Sequence, residues 1–142
     1  MFVKKISPYA KIPMRQTSGS AGYDLHACIP PPHEPIVLKP MDRTLIPTGI
    51  AVVIPTGCYG RIAPRSSFAV KGTSIGAGVV DSDYRGEIKV LLFNHSSEEL
   101  IISHENRIAQ LIIEKIETPE ITEVSELPKS TREGGGFGST GI

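Results

Sequence analysis

The stretch GAGVVDSDYRGE, residues 76–87, places Asp81, Asp83, Tyr84 and Arg85 within five positions of one another. A carboxylate held near a hydrogen-bonded water is a general base, and a neighbouring cation offsets the charge of an anionic substrate. If the stretch forms a hairpin, Asp81 and Asp83 project to one face and Tyr84 to the other. Taken alone, its Asp and Gly residues also read as an ordinary turn. Three further stretches carry similar chemistry. APRSSFAVKG (63–72) supplies Arg65, Ser66 and Ser67, and reads as a proline-led turn into one helical turn capped by Ser66, with free N–H groups for an anion. SAGYDLHA (20–27) carries Asp24 at what reads as a strand start. REGGGFGSTG (132–141) sets Arg132, Phe137, Ser139 and Thr140 in a glycine-rich tail. That tail contains a GxGxxG string at 136–141, but no helix follows it and no Lys follows the glycines, which excludes dinucleotide and Walker loops.

Such side chains need a frame. With 142 residues the chain is long enough for one domain with a real core. Its 14 glycines and 12 prolines exceed the usual combined level of roughly 12%, and they punctuate the whole length. Between them lie short Val- and Ile-rich runs: RTLIPTGIAVVIP (43–55), CYGRIA (58–63), EIKVLLF (87–93), LIISH (100–104), RIAQLIIEKI (107–116) and EITEV (120–124). Close spacing with turn breaks predicts strands throughout, as in an all-β sandwich or barrel. In RIAQLIIEKI the spacing of Ile108, Leu111, Ile112 and Ile116 also fits a helix, but its β-branched richness and Pro119 favour a strand. IPTG occurs at 46–49 and 54–57, two copies that fit turns rather than a repeat protein.

Charge and cysteine use narrow the function. Fifteen basic and fifteen acidic residues balance, which argues against a nucleic-acid binder. No apolar run approaches the roughly 18 residues of a membrane span, and MFVKKISPYAKIP lacks the apolar stretch of a signal peptide. These features predict an intracellular protein, cytoplasmic or nuclear, with no membrane partner. Cys28 and Cys58 have no CxxC spacing and read as reduced thiols. His26, His33, His95 and His104 form no metal-ligand cluster and read as surface or turn residues.

The order AGYDLHA, GRIAPRSS, GAGVVDSDYRGE, RIAQLI and REGGGFGSTG resembles the five motifs of the trimeric deoxyuridine triphosphatases, the dUTP pyrophosphatases, and spans residues 21–141. The resemblance implies a jelly-roll-like β-barrel with one short helix over residues 1–131, a homotrimer whose sites are shared between subunits, and a flexible C-terminal lid over residues 132–142. It implies Mg²⁺-dependent attack of water on the α-phosphorus of dUTP, giving dUMP and pyrophosphate. Asp81 matches the acid that activates the water, and Asp24 the acid near the water shell of the metal. Arg65, Ser66, Ser67 and Gln110 match phosphate- and metal-proximal positions. Gly76, Gly78 and Val79 match the hairpin whose backbone reads uracil, and Tyr84 the ring that packs under the sugar and excludes a ribose hydroxyl. In the lid, Phe137 matches the ring stacked on uracil and Arg132 the cation at the terminal phosphate. Gly138, Ser139 and Thr140 match its phosphate cradle, and Gly135 and Gly136 its hinge.

Two departures from the family pattern stand out. Ser67 occupies a position that is usually glycine, which is tolerated if the local φ is negative. Glu105-Asn106 replaces the frequent Gly-Asp before the fourth motif, and Asn106 is the residue expected to take the left-handed conformation there. A dCTP deaminase of the same fold would carry a glutamate in place of Asp81. A catalytically silent relative would have lost Asp81, Tyr84 or the tail, and all are present.

Overall fold

The computed structural model of the chain describes residues 1–131, 133 and 134. Strands dominate because apolar and polar residues alternate along short segments, burying one face of each. The largest sheet contains β2 (Gly22–His26), β11 (Arg107–Lys115), β6 (Cys58–Ala63) and β8 (Val79–Val80), hydrogen-bonded in that order. A second sheet orders β4 (Arg43–Pro47), β9 (Lys89–Asn94) and β7 (Thr73–Gly76). Two ribbons complete the set: β1 (Phe2–Lys5) with β5 (Ile50–Val53), and β10 (Leu100–Ile102) with β3 (Ile36–Leu38). Each of these pairings is antiparallel. RIAQLIIEKI is thus a strand, as its β-branched content predicts.

One core cluster joins the sheets. Leu25, Ile62, Val80, Ile108 and Leu111 from the larger sheet meet Ile46, Val90 and Leu92 from the smaller, with Ile50 and Ile102 from the ribbons. Fully burying side chains of this size contributes about 1.5–3 kcal/mol each. The cluster therefore holds the site-bearing strands in fixed register. Two of the buried polar residues are well partnered: Asn94 donates to the carbonyls of Leu38, Lys39 and Glu98, and Thr48 donates to Ile88, whereas the buried Thr73 hydroxyl has no partner among the described residues.

Residues 76–79 do not form the expected hairpin. β7 pairs with β9 and β8 pairs with β6, so this turn carries the chain from one sheet to the other. Ala77 and Gly78 have φ of 55° and 92°, and two successive left-handed residues rotate the chain out of the first sheet. Asp81–Tyr84 likewise form a turn, closed by the Tyr84 N–H to the Asp81 carbonyl at 3.2 Å, rather than alternating as a strand. The single helix among the described residues, α1 (Ser66–Ala69), is capped at Arg65 and not Ser66. The Arg65 backbone is extended and its carbonyl accepts the Phe68 and Ala69 N–H groups, which leaves Ser66 inside the first turn. Ser67 sits within α1 and is not among the residues with positive φ, so serine is accommodated there without strain.

Left-handed conformation before β11 falls on Glu105 (φ 64°) instead of Asn106. Asn106 instead closes the turn with its side chain, which accepts the Ser103 N–H at 2.9 Å. Glu105 pairs with Lys11 at 2.6 Å, holding the residue in place. EITEV (120–124) forms no strand, and Ile121 and Val124 are exposed. A strand needs an edge to pair with, and this segment finds none in its own chain.

His26 departs from the surface-or-turn reading. It lies half-buried in β2, and its Nδ1 has no hydrogen-bond partner. Burial lowers its pKa from 6.5, partly opposed by Asp24. The unfolded chain therefore takes up a proton more readily than the folded one. Stability from this residue is complete above pH 6.5 and falls as the pH drops toward the lower folded value. Thermal melts between pH 8 and pH 5 should show Tm declining with acidity, and His26→Gln should flatten that decline. Equal slopes for the two proteins would rule this out.

Candidate active site

Two groups of side chains gather at the rims of the larger sheet. The first is built on strand register. Asp24 on β2 stands opposite Gln110 on β11, which in turn stands opposite Ala63 at the end of β6. Pro64 and Arg65 follow directly, so the first, second and fourth sequence motifs converge. Asp24 is only 6% exposed, yet its carboxylate is well partnered. Oδ1 accepts from Arg65 Nε at 3.0 Å, while Oδ2 accepts from Gln16 Nε2 at 2.8 Å and from Arg107 at 3.4 Å. One buried carboxylate against two guanidiniums leaves a net positive site, suited to an anion. Arg65 also donates to the Arg107 carbonyl at 3.2 Å, which fixes its plane and leaves further N–H groups of its fork for a ligand. Gln110 donates to the Pro64 carbonyl at 3.0 Å, and Gly22 is required beneath it because a Cβ there would run into the Gln110 amide. Ser66 and Ser67 present exposed hydroxyls next to Arg65.

The second group lines a cavity of about 410 Å³ bounded by Ile62, Gly78, Val79, Asp81, Tyr84 and Glu87, among others. Backbone dominates one wall: the Gly78 carbonyl accepts the Ile62 N–H at 2.8 Å, and a Cβ on Gly78 would lie 3.0 Å from the Ile62 oxygen. Gly78 is therefore demanded twice, by its φ and by this approach. Gly76 does not line the cavity. Its missing side chain makes room for the Phe93 ring, a packing role that differs from the expected approach of a base. Tyr84 stands on the rim, half exposed, with its hydroxyl donating to the Glu87 carbonyl at 3.1 Å. Glu87 accepts the Gly49 N–H at 2.9 Å and pairs with Lys89 at 3.7 Å.

The chain brings Asp24, Arg65 and Gln110 together, and separately Gly78, Val79, Asp81 and Tyr84. Among the described residues no hydrogen bond or ion pair links Asp81 to the first group. Arg132, Phe137, Gly138, Ser139 and Thr140 lie outside the described residues. Sequence reasoning missed three partners. Arg107 was visible as the first residue of RIAQLI. Gln16 reaches Asp24 only because Met14 forms a bridge with Asp24, a contact with no signature in the sequence. Glu87 is hidden likewise, since its role depends on Gly49 from a distant turn.

No group of three or more His, Cys, Asp or Glu capable of holding a metal occurs among the described residues. Asp24 spends both oxygens on protein donors, so it is not a free ligand for a cation. A Mg²⁺ ion, which usually keeps several waters and is held through substrate phosphates, would need no direct protein ligand here. No helix among the described residues is long and apolar enough to cross a membrane.

Comparison with known proteins agrees with this geometry. Residues 8–141 match the family described as dUTPase. The deoxyuridine 5'-triphosphate nucleotidohydrolase of Paramecium bursaria Chlorella virus 1 is 49% identical over 143 aligned positions, covering 100% of this chain and 98% of that protein. The Arabidopsis thaliana protein of the same name is 48% identical, covering 99% of this chain and 82% of its own length. Among solved structures, the dUTPase of Staphylococcus bacteriophage 80alpha with dUpNHpp superposes with a TM-score of 0.84 at 30% identity, over 99% of this chain and 98% of that one. A mutant dUTPase from phage phi11 of S. aureus, described with a structural Mg(II) ion, gives a TM-score of 0.81 at 26% identity, over 90% of this chain and 98% of its own. With a family match across nearly all of its length and relatives close to half identical, the chain belongs to the dUTPase family.

Proposed function

We propose that this protein hydrolyses dUTP to dUMP and pyrophosphate by attack of water on the α-phosphorus. The observation that carries the reading is the cavity in which Asp81 and Tyr84 face a backbone wall at Gly78–Val79. Asp81 is the general base: an exposed carboxylate at the mouth of the cavity takes the proton of the attacking water. Main-chain donors and acceptors at Gly78 and Val79 pair with the uracil edge. Cytosine would leave those groups unpaired, and thymine adds a methyl group for which there is no room. Tyr84 packs against the sugar and excludes a 2′-hydroxyl.

Arg65, with Ser66 and Ser67, binds phosphate oxygens, and Arg132, Phe137, Gly138, Ser139 and Thr140 act as a lid that adds a cation, a stacking ring and a phosphate cradle. Mg²⁺ bound with the triphosphate neutralises its charge, while Asp24 and Gln110 order the surrounding waters.

Among the described residues no hydrogen bond or ion pair joins Asp81 to Asp24 or Arg65, which supports a full site assembled between copies in a homotrimer. The segment after β11 supports this arrangement. Ile121, Val124 and Leu127 are exposed between Pro119 and Pro128, while among the described residues β1 pairs only with β5 and exposes Phe2. Free thiols at Cys28 and Cys58 suit a reducing compartment, cytoplasm or nucleus.

Turnover of dUTP, UTP, dTTP and dCTP by the purified protein with Mg²⁺ tests the reading. A preference for dUTP over UTP of about 10² is expected, the scale at which a site rejects an added hydroxyl. Equal rates on both would remove Tyr84 from its role, and no hydrolysis of dUTP would remove the function itself.

A further inference from the structure

Gln16 lies in no strand or helix, and no family motif named above includes it. Yet its Nε2 donates to Asp24 Oδ2 at 2.8 Å, shorter than the 3.4 Å contact from Arg107 to the same oxygen. The loop that carries it is built without its help. Arg15 donates to the carbonyls of Ser18 and Ser20 at 2.9 and 3.2 Å, and its guanidinium lies over the Tyr23 ring at 5.7 Å. Thr17 and Ser20 close the turn on each other. Among the described residues the exposed Gln16 side chain thus has one partner, the buried carboxylate that orients Arg65.

We propose that Gln16 is a positioning residue for phosphate binding. This inference rests on the reading of Arg65 as the phosphate fork. A neutral amide on Oδ2 holds the Asp24 carboxylate in one rotation, with Oδ1 facing Arg65 Nε at 3.0 Å. Without it, Arg107 competes alone for Oδ2 and the carboxylate is free to turn toward that cation, releasing Arg65 from its plane. A guanidinium binds phosphate through paired, directed N–H groups, so lost orientation weakens binding while leaving the charge unchanged. Because the donor is neutral, it adds no cation that would tie the carboxylate more tightly and draw it away from Arg65.

The test uses the full chain and two readouts, dUTP turnover and calorimetric binding of inorganic tripolyphosphate. Gln16→Ala should raise the tripolyphosphate Kd and the KM for dUTP by about three- to tenfold, less than a direct hydrogen bond to a charged partner because Gln16 acts through Asp24 and Arg65. Its kcat and Tm should stay near those of the parent. Gln16→Glu supplies a signature that a merely structural role would not produce. A carboxylate at position 16 accepts where the amide donates: it repels Asp24 and competes with it for Arg65 and Arg107, whose two charges let both carboxylates ionise. Gln16→Glu should therefore raise the tripolyphosphate Kd further than Gln16→Ala does, with Tm near that of the parent.

Unchanged tripolyphosphate affinity in Gln16→Ala, or a Gln16→Glu variant that binds tripolyphosphate as tightly as Gln16→Ala, would overturn the proposal. So would a parent that binds no tripolyphosphate. A parent that binds tripolyphosphate but does not hydrolyse dUTP would sink the proposed reaction instead, and the binding comparison would still decide the role of Gln16.

Discussion

Asp81→Asn should lower kcat on dUTP by about 10²- to 10⁴-fold, the range for loss of a general base. The side chain is exposed at the cavity mouth and carries no structural hydrogen bond or ion pair among the described residues. The turn it belongs to is held through its main-chain carbonyl, which accepts the Tyr84 N–H and is untouched by the substitution. Asparagine matches aspartate in shape, so the cavity should keep its volume and Tm should not move. Binding of a non-hydrolysable dUTP analogue should survive, because the proposed phosphate contacts reside at Arg65, Ser66 and the tail. Steady-state rates and calorimetry on parent and variant measure both halves of the expectation. A variant within threefold of the parent would show that another group activates the water.

Mixing two inactive variants should restore activity if sites are shared between copies. Arg65→Ala removes the phosphate fork, and Asp81→Asn removes the base, so each pure protein should be nearly silent. In a closed ring with shared sites, each site would take its base from one copy and its arginine from another. When both variants are unfolded together and refolded at equal amounts, a chain bearing intact Asp81 meets one bearing intact Arg65 at about one interface in four. The mixture should then reach about a quarter of the parental rate, a rise of more than tenfold over either component. Mixing without refolding is the control, since assembled copies must come apart before they can exchange. If the refolded mixture stays silent while light scattering shows trimers, base and arginine come from the same chain. If the protein runs as a monomer with full activity, no sharing exists at all.

Motif chemistry and element type were readable in the residues themselves. CYGRIA is a strand from its first residue to its last because every second side chain of the run can face a core, and RIAQLIIEKI followed its β-branched content rather than its helical spacing. The identities of Asp24, Arg65, Asp81, Tyr84 and Gln110 as site candidates rest on residue types in a fixed order, which a linear sequence preserves. Direction of the chain after a turn is another matter. Whether Gly76–Val79 folds back as a hairpin or crosses to a second sheet depends on which edges, β9 or β6, offer unpaired backbone, and no local signal records that. Ser66 was a good cap by type, but Arg65 took the capping position because β6 ends two residues earlier and sets where α1 begins. EITEV had strand composition with no edge to join, since pairing is a property of two segments and only one lay in reach. Glu105 took the left-handed turn that Asn106 suits better by type. Its side chain pairs with Lys11, and Asn106 is engaged with the Ser103 N–H. The electrostatics of Asp24 were decided wholly in three dimensions. Gln16, Arg65 and Arg107 are separated by 49 and 42 positions along the chain. They meet at one carboxylate because antiparallel register, enforced by the buried Leu25, Ile62 and Leu111 side chains, leaves them no other arrangement.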